Sequence, residues 1–246
     1  MDSALPLRSV PPWGVATGVS VGVVTVSVLT LSTVVRLSAE IVFAVGLLFG
    51  VQVVLFYHTN RAARVDSGRQ PFTLATLVTV LRGTAIAVLA GFVVVGRPDG
   101  NLAWLPALLF GAGALFDGID GVLARATDAV SAFGSRLDIE VDALVLLVGA
   151  LVAVRIGAAP VVYVLVGLAR YLFVWGVTLR RVRGTPVESL PSRTSRRVLG
   201  ATQMLVVFVV LTPVLDPTYS RPLAVVAMVP FLLGFCRDWL LVSGRL

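Results

Sequence analysis

The sequence has no lysine, one cysteine (Cys236), and charge on only 13% of its 246 residues. Each shortage excludes something. A single cysteine cannot close an intrachain disulfide or supply a cysteine metal cluster. Ordinary globular domains are about one-quarter charged and about half apolar. Here the charged share is far lower and hydrophobic residues reach 57%, which points away from a soluble domain and towards a bilayer protein. The net charge of +7 comes entirely from arginine. Those arginines lie mostly between apolar runs, so they read as topology signals and not as a nucleic-acid footprint.

Apolar runs fill most of the chain. Several reach about 18 residues or more, enough to cross roughly 30 Å of hydrocarbon. Backbone polar groups in lipid must be satisfied internally, so the spans are expected to be helices. The sequence predicts an all-α polytopic membrane protein with about eight spans, near 13–35, 40–57, 73–96, 103–124, 135–154, 160–179, 197–215 and 222–242. Arg97-Pro98-Asp99-Gly100 reads as a turn, and Pro160, Pro191 and Pro217 fall near span ends. Arginine clusters at 58–72 and 180–197, against single arginines in the alternate connections, place those segments, 125–134 and both termini in the cytoplasm. The first run is longer than a signal-peptide core and lacks a small-x-small cleavage site, so a membrane span is the expected reading. Residues 1–60 are expected to form a two-helix hairpin, 61–72 a cytoplasmic linker, and 73–246 a catalytic domain.

Acid is the other scarce commodity, and it is concentrated. Six of the thirteen acidic residues lie between Asp117 and Asp142. Carboxylates at membrane depth are costly and mark functional sites. At about 100° per residue, Asp117, Asp120, Gly121 and Ala124 share one helix face. Gly134, Asp138 and Asp142 follow at successive i, i+4 positions and share a face of the next helix. Asp117, Asp120, Asp138 and Asp142 would then converge near the cytoplasmic surface. Four carboxylates cannot all stay ionised in a low dielectric without compensation. With no His or Cys among them, hard Mg²⁺ or Mn²⁺ is the expected compensation, as two divalent ions. Glu140 lies roughly opposite Asp138 on its helix and is set aside, as is Asp128 in the intervening loop. Gly121, Ala124 and Gly134 leave room for close approach of a bulky ligand, and Arg125 is a planar donor suited to phosphate.

The string Asp117-x-x-Asp120-Gly121-x-x-Ala124-Arg125, eight further residues, then Gly134-x-x-x-Asp138-x-x-x-Asp142 resembles the signature of the CDP-alcohol phosphatidyltransferases. All eight signature positions are filled, and the resemblance extends over about residues 70–242. It implies a six-helix catalytic core and transfer of a substituted phosphate, with release of CMP, to an acceptor hydroxyl. It implies that Asp117, Asp120, Asp138 and Asp142 ligate the two metals and that Asp142 also acts as general base. Gly121, Ala124, Arg125 and Gly134 would line the CDP pocket. The first core helix of the family often carries Asn-x-x-Thr-x-x-Arg. Here it reads Thr76-x-x-Thr79-x-x-Arg82, so Thr79 and Arg82 fit as substrate contacts while Thr76 departs from the pattern. The resemblance further implies a CDP-linked lipid donor, a role in phospholipid biosynthesis and a homodimer in the cell membrane.

Three weaker signals each carry two readings. Arg82 either faces the cleft, which is favoured, or snorkels to the surface. Arg170, in mid-span, faces a polar cavity such as an acceptor site or forms a structural ion pair. Arg193 and Arg196, in the loop after Pro191, either meet a phosphorylated acceptor or supply positive-inside charge against anionic headgroups. Two rival classes remain, a divalent-cation transporter and a catalytically silent membrane scaffold. The clustering of acids at one mouth argues against the first, and the register of the four aspartates against the second.

Overall fold

The computed structural model describes residues 11–34, 38–68, 72–114, 131–190 and 193–245. Among these residues every regular element is helical. The helices are α1 (Pro12–Val34), α2 (Ala39–Ser67), α3 (Leu74–Leu89), α4 (Gly91–Val95), α5 (105–114), α6 (Ala132–Arg155), α7 (Val164–Val182), α8 (Thr194–Leu211) and α9 (Pro217–Val242). Short 3-10 turns at Gly100–Trp104 and Val161–Tyr163 lead into α5 and α7.

Among the described residues six stretches are long and apolar enough to cross a membrane: α1, α2, α3 with α4, α7 with its leading turn, α8 and α9. Of the other two expected spans, α6 is 24 residues long but carries Arg136, Asp138, Glu140 and Asp142 in its first half. The last is described only through Ala114.

Helix ends differ from the expected boundaries for local reasons. α9 begins at 217, not 222, because Asp216 caps it, accepting from the Thr218 amide at 2.8 Å, and Pro217 occupies the first turn. α8 stops at Leu211, short of 215, because Thr212 is extended ahead of Pro213. α2 does not end at 57. It runs through Arg61, Ala63 and Arg64 to a cap at Gly68, whose positive φ of 73° suits glycine. The first half of the expected linker 61–72 is therefore helix. At about 1.5 Å per residue, 29 residues span some 43 Å, more than a bilayer core requires.

The chain divides into two compact units. The first comprises residues 1–91 and 112–142. In it α1, α2 and α3 pack on one another, so the expected N-terminal hairpin clusters with the first core helix. Trp13 meets Tyr57 edge-on at 5.7 Å, setting α1 antiparallel to α2. Ala16, Val45, Phe56, Ala63, Val80 and Ile86 are buried. The second unit comprises 92–111 and 143–246, with α9 packed on α7 and α8. Gly149 there lies so close to Phe110 and Val207 that a Cβ would fall 2.5 and 2.7 Å from them. Tyr163 donates to Gln203 at 2.7 Å, and Gln203 donates to the Ala227 carbonyl at 2.6 Å, so this buried polar pair is satisfied.

Candidate active site

The site in the first unit is built from the starts of α3 and α6. Thr73 caps α3, accepting from the Thr76 amide at 3.1 Å. Ser131 caps α6, accepting from the Gly134 amide at 2.9 Å. The two caps meet through Thr76, whose hydroxyl lies 2.9 Å from that of Thr73 and 3.4 Å from that of Ser131. Gly134 is required at this junction. A Cβ there would sit 2.7 Å from Thr76 Oγ1 and 3.0 Å from Ser131 Oγ, too close for either to stay. Thr76, at the position where the resembled pattern has asparagine, thus spends its hydroxyl joining the two helices.

Two turns further along α3, Arg82 is buried, with 1% of its side chain exposed. It does not snorkel. Its Nε donates to the Gly113 carbonyl at 2.9 Å, its Nη1 to Asp138 Oδ1 at 2.7 Å, and its Nη2 to Asp142. Asp138 and Asp142 stand one turn apart on α6, the face expected from their spacing. Like charges at that spacing repel modestly, and a planar guanidinium answers both at once. The two carboxylates remain 38% and 40% exposed, so they are held from one side and accessible from another. Thr79, also buried on α3, donates to the Ala75 carbonyl at 3.1 Å.

Asp138 and Asp142 are hard oxygen donors on a partly exposed face, which is the donor chemistry that divalent Mg²⁺ or Mn²⁺ takes. Among the described residues no three His, Cys, Asp or Glu side chains gather to hold a metal. The expected partners Asp117 and Asp120 lie outside the described residues, as do Gly121, Ala124, Arg125 and Asp128.

The residues expected at an acceptor site belong to the second unit. Arg170 is a partly exposed residue of α7. Arg193 stands at the start of α8. Arg196 is engaged by Asp238 of α9, its Nε at 2.5 Å and Nη2 at 3.0 Å from the two carboxylate oxygens. Two contributors at the first unit's site were not singled out from sequence. Ser131 carried a readable signal, since a serine three residues ahead of Gly134 at a helix start is a capping position. The Gly113 carbonyl carried none, because backbone acceptors have no sequence signature.

Wholly helical regular structure, six membrane-length helices and an arginine-bridged carboxylate pair among the described residues define a polytopic membrane protein with an acidic site. A family model for CDP-alcohol phosphatidyltransferase matches residues 72–239, more than half of the chain. The chain therefore belongs to the CDP-alcohol phosphatidyltransferase family. That membership implies phosphotransferase activity on a CDP-alcohol donor and an alcohol acceptor, in a family generally dependent on divalent cations. No curated protein and no solved structure gives a significant match.

Proposed function

We propose that the protein transfers a phosphatidyl-type phospho-alcohol group from a CDP-linked lipid to an acceptor hydroxyl, in phospholipid biosynthesis. The acceptor oxygen bonds to the phosphorus that bears the donor alcohol, the bond from that phosphorus to CMP breaks, and CMP leaves. The observation that carries this reading is the Asp138–Arg82–Asp142 bridge, which lies inside the family-matched segment.

Asp117, Asp120, Asp138 and Asp142 are the residues that would hold two Mg²⁺ or Mn²⁺ ions. When bound, such ions offset charge on the diphosphate and on the transferred phosphoryl group. Asp142 accepts the proton of the acceptor hydroxyl, and Arg82 fixes the orientation of that carboxylate. Gly121, Ala124, Arg125, Gly134 and Thr79 line the nucleotide side. Arg170, Arg193 and Arg196 are the candidates for the acceptor side. The protein works as a homodimer in the cell membrane, with the site and both termini facing the cytoplasm and residues 73–246 forming the catalytic domain.

Purified protein incubated with a CDP-lipid, Mg²⁺ or Mn²⁺ and candidate alcohols should release CMP. Asp142→Asn should abolish release while CDP-lipid binding persists. Absence of CMP with every acceptor, together with metal flux into liposomes, would replace this reading with transport.

A further inference from the structure

The family match begins at residue 72, so α1 and α2 lie outside it. Yet these two helices hold the back of the helix that carries Arg82. Gln52 of α2 is fully buried, and its amide nitrogen lies 3.4 Å from the Val80 carbonyl. With the carboxamide turned over, its nitrogen donates to the Gly83 carbonyl at 3.2 Å and its oxygen accepts from the Thr84 amide at 3.3 Å. In either orientation the carboxamide grips the backbone of the turn that holds Arg82. Gly83 permits this approach, since a Cβ there would lie 2.6 Å from Gln52 Nε2. On the same turn, the buried Thr84 hydroxyl lies within hydrogen-bond distance, 3.0 Å, of the buried Ser20 hydroxyl of α1. The same hairpin reaches the other site helix, because Asp66 of α2 pairs with Arg136, two residues before Asp138.

A buried amide and hydroxyl in lipid-spanning helices are costly unless they serve packing specificity or function. Gln52 and Ser20 hold α3, which carries the guanidinium, while the Asp66–Arg136 pair reaches α6, which carries the two carboxylates. A displacement of about 1 Å at such a site is worth a large factor in rate. We propose that the N-terminal hairpin is a positioning clamp for the active site and that Gln52 is its chief positioning residue, acting through Arg82. This rests on the transferase reading above.

CMP release and thermal unfolding test it together. Gln52→Leu keeps the side-chain volume and removes the polar grip. It should lower kcat about tenfold, with KM for the CDP-lipid changed less than about twofold and Tm not reduced. In an Arg82→Lys background the same substitution should add almost no further loss, because the residue it acts through is already altered. Gly83→Ala should impair turnover by pushing Gln52 off the α3 backbone, and adding Gln52→Leu to it should bring almost no further loss, because the grip is already gone. Unchanged kcat in Gln52→Leu would overturn the proposal. So would a full, multiplicative loss in either the Arg82→Lys or the Gly83→Ala background. No CMP from the unmodified protein would overturn the transferase reading and this proposal with it, whereas an active parent with a silent Gln52→Leu overturns the clamp alone.

Discussion

Arg82 on α3 and Asp138 on α6 meet at 2.7 Å although 56 positions separate them in the chain. The same guanidinium reaches Asp142 one turn further on, so a single buried cation fixes the spacing of two carboxylates.

Arg82→Lys should therefore lose more than its retained charge suggests. An ammonium is a point donor and cannot bridge two carboxylates while also meeting the Gly113 carbonyl. CMP release should fall by at least about tenfold, and the Tm should drop. Wild-type turnover in Arg82→Lys would show that charge alone suffices.

Gly134→Ala should be harmful for a steric reason. The added methyl meets Thr76 Oγ1 at 2.7 Å, an overpacking that costs about 1–3 kcal/mol. Thr76→Ala should relieve it, so the double variant should unfold at a higher temperature than Gly134→Ala. Strictly additive losses would mean the two residues do not share this space.

The N-terminal end of α9 should be sensitive to acid. Hydrogen bonds from the Thr218 hydroxyl and amide hold the Asp216 carboxyl below its ordinary pKa. A group depressed in the folded state adds stability above its unfolded pKa and loses it as pH falls through the folded value. Thermal unfolding scanned downward in pH should show a small loss in the parent that is absent in Asp216→Asn. An identical pH profile in both would exclude the cap as its source.

Asp238→Asn should destabilise the second unit by on the order of 2 kcal/mol, because Arg196 loses a two-point partner. Replacing both residues with leucine should cost less than either single change. An acceptor role for Arg196 would show differently, as a raised acceptor KM in Arg196→Lys with Tm preserved.

The sequence made the helices and one face of the site readable, because both depend on periodicity. Gly134, Asp138 and Asp142 share a face through spacing alone, and apolar run length marked the spans. The extension of α2 to Ser67 was less readable, since His58, Asn60 and the arginines after them look like a linker while the backbone still has helical partners. The bridging role of Arg82 was half legible. Its depth in an apolar run argued for a cleft, but which carboxylates it would meet depends on how α3 and α6 pack. Gln52 gave no signal at all, because one amide in an apolar run has meaning only against the backbone it touches.

In the second unit, the connections at one end carry Arg97, Arg155 and Arg221, and each is turned onto backbone carbonyls. Arg97 approaches those of Val210, Leu211 and Thr212 at 3.3–3.5 Å, Arg155 donates to Val94 at 2.9 Å, and Arg221 to Gly157 at 2.9 Å. At the opposite end Arg181, Arg183, Arg197 and Arg237 are exposed. Counting arginines per loop thus misses what each guanidinium holds. Arg155 and Arg221 at one end and Arg180 at the other, which donates to the Pro186 carbonyl at 2.8 Å, tie helix to loop backbone while keeping their charge, so an arginine in a connection of this chain is a structural fastener as well as a topology signal.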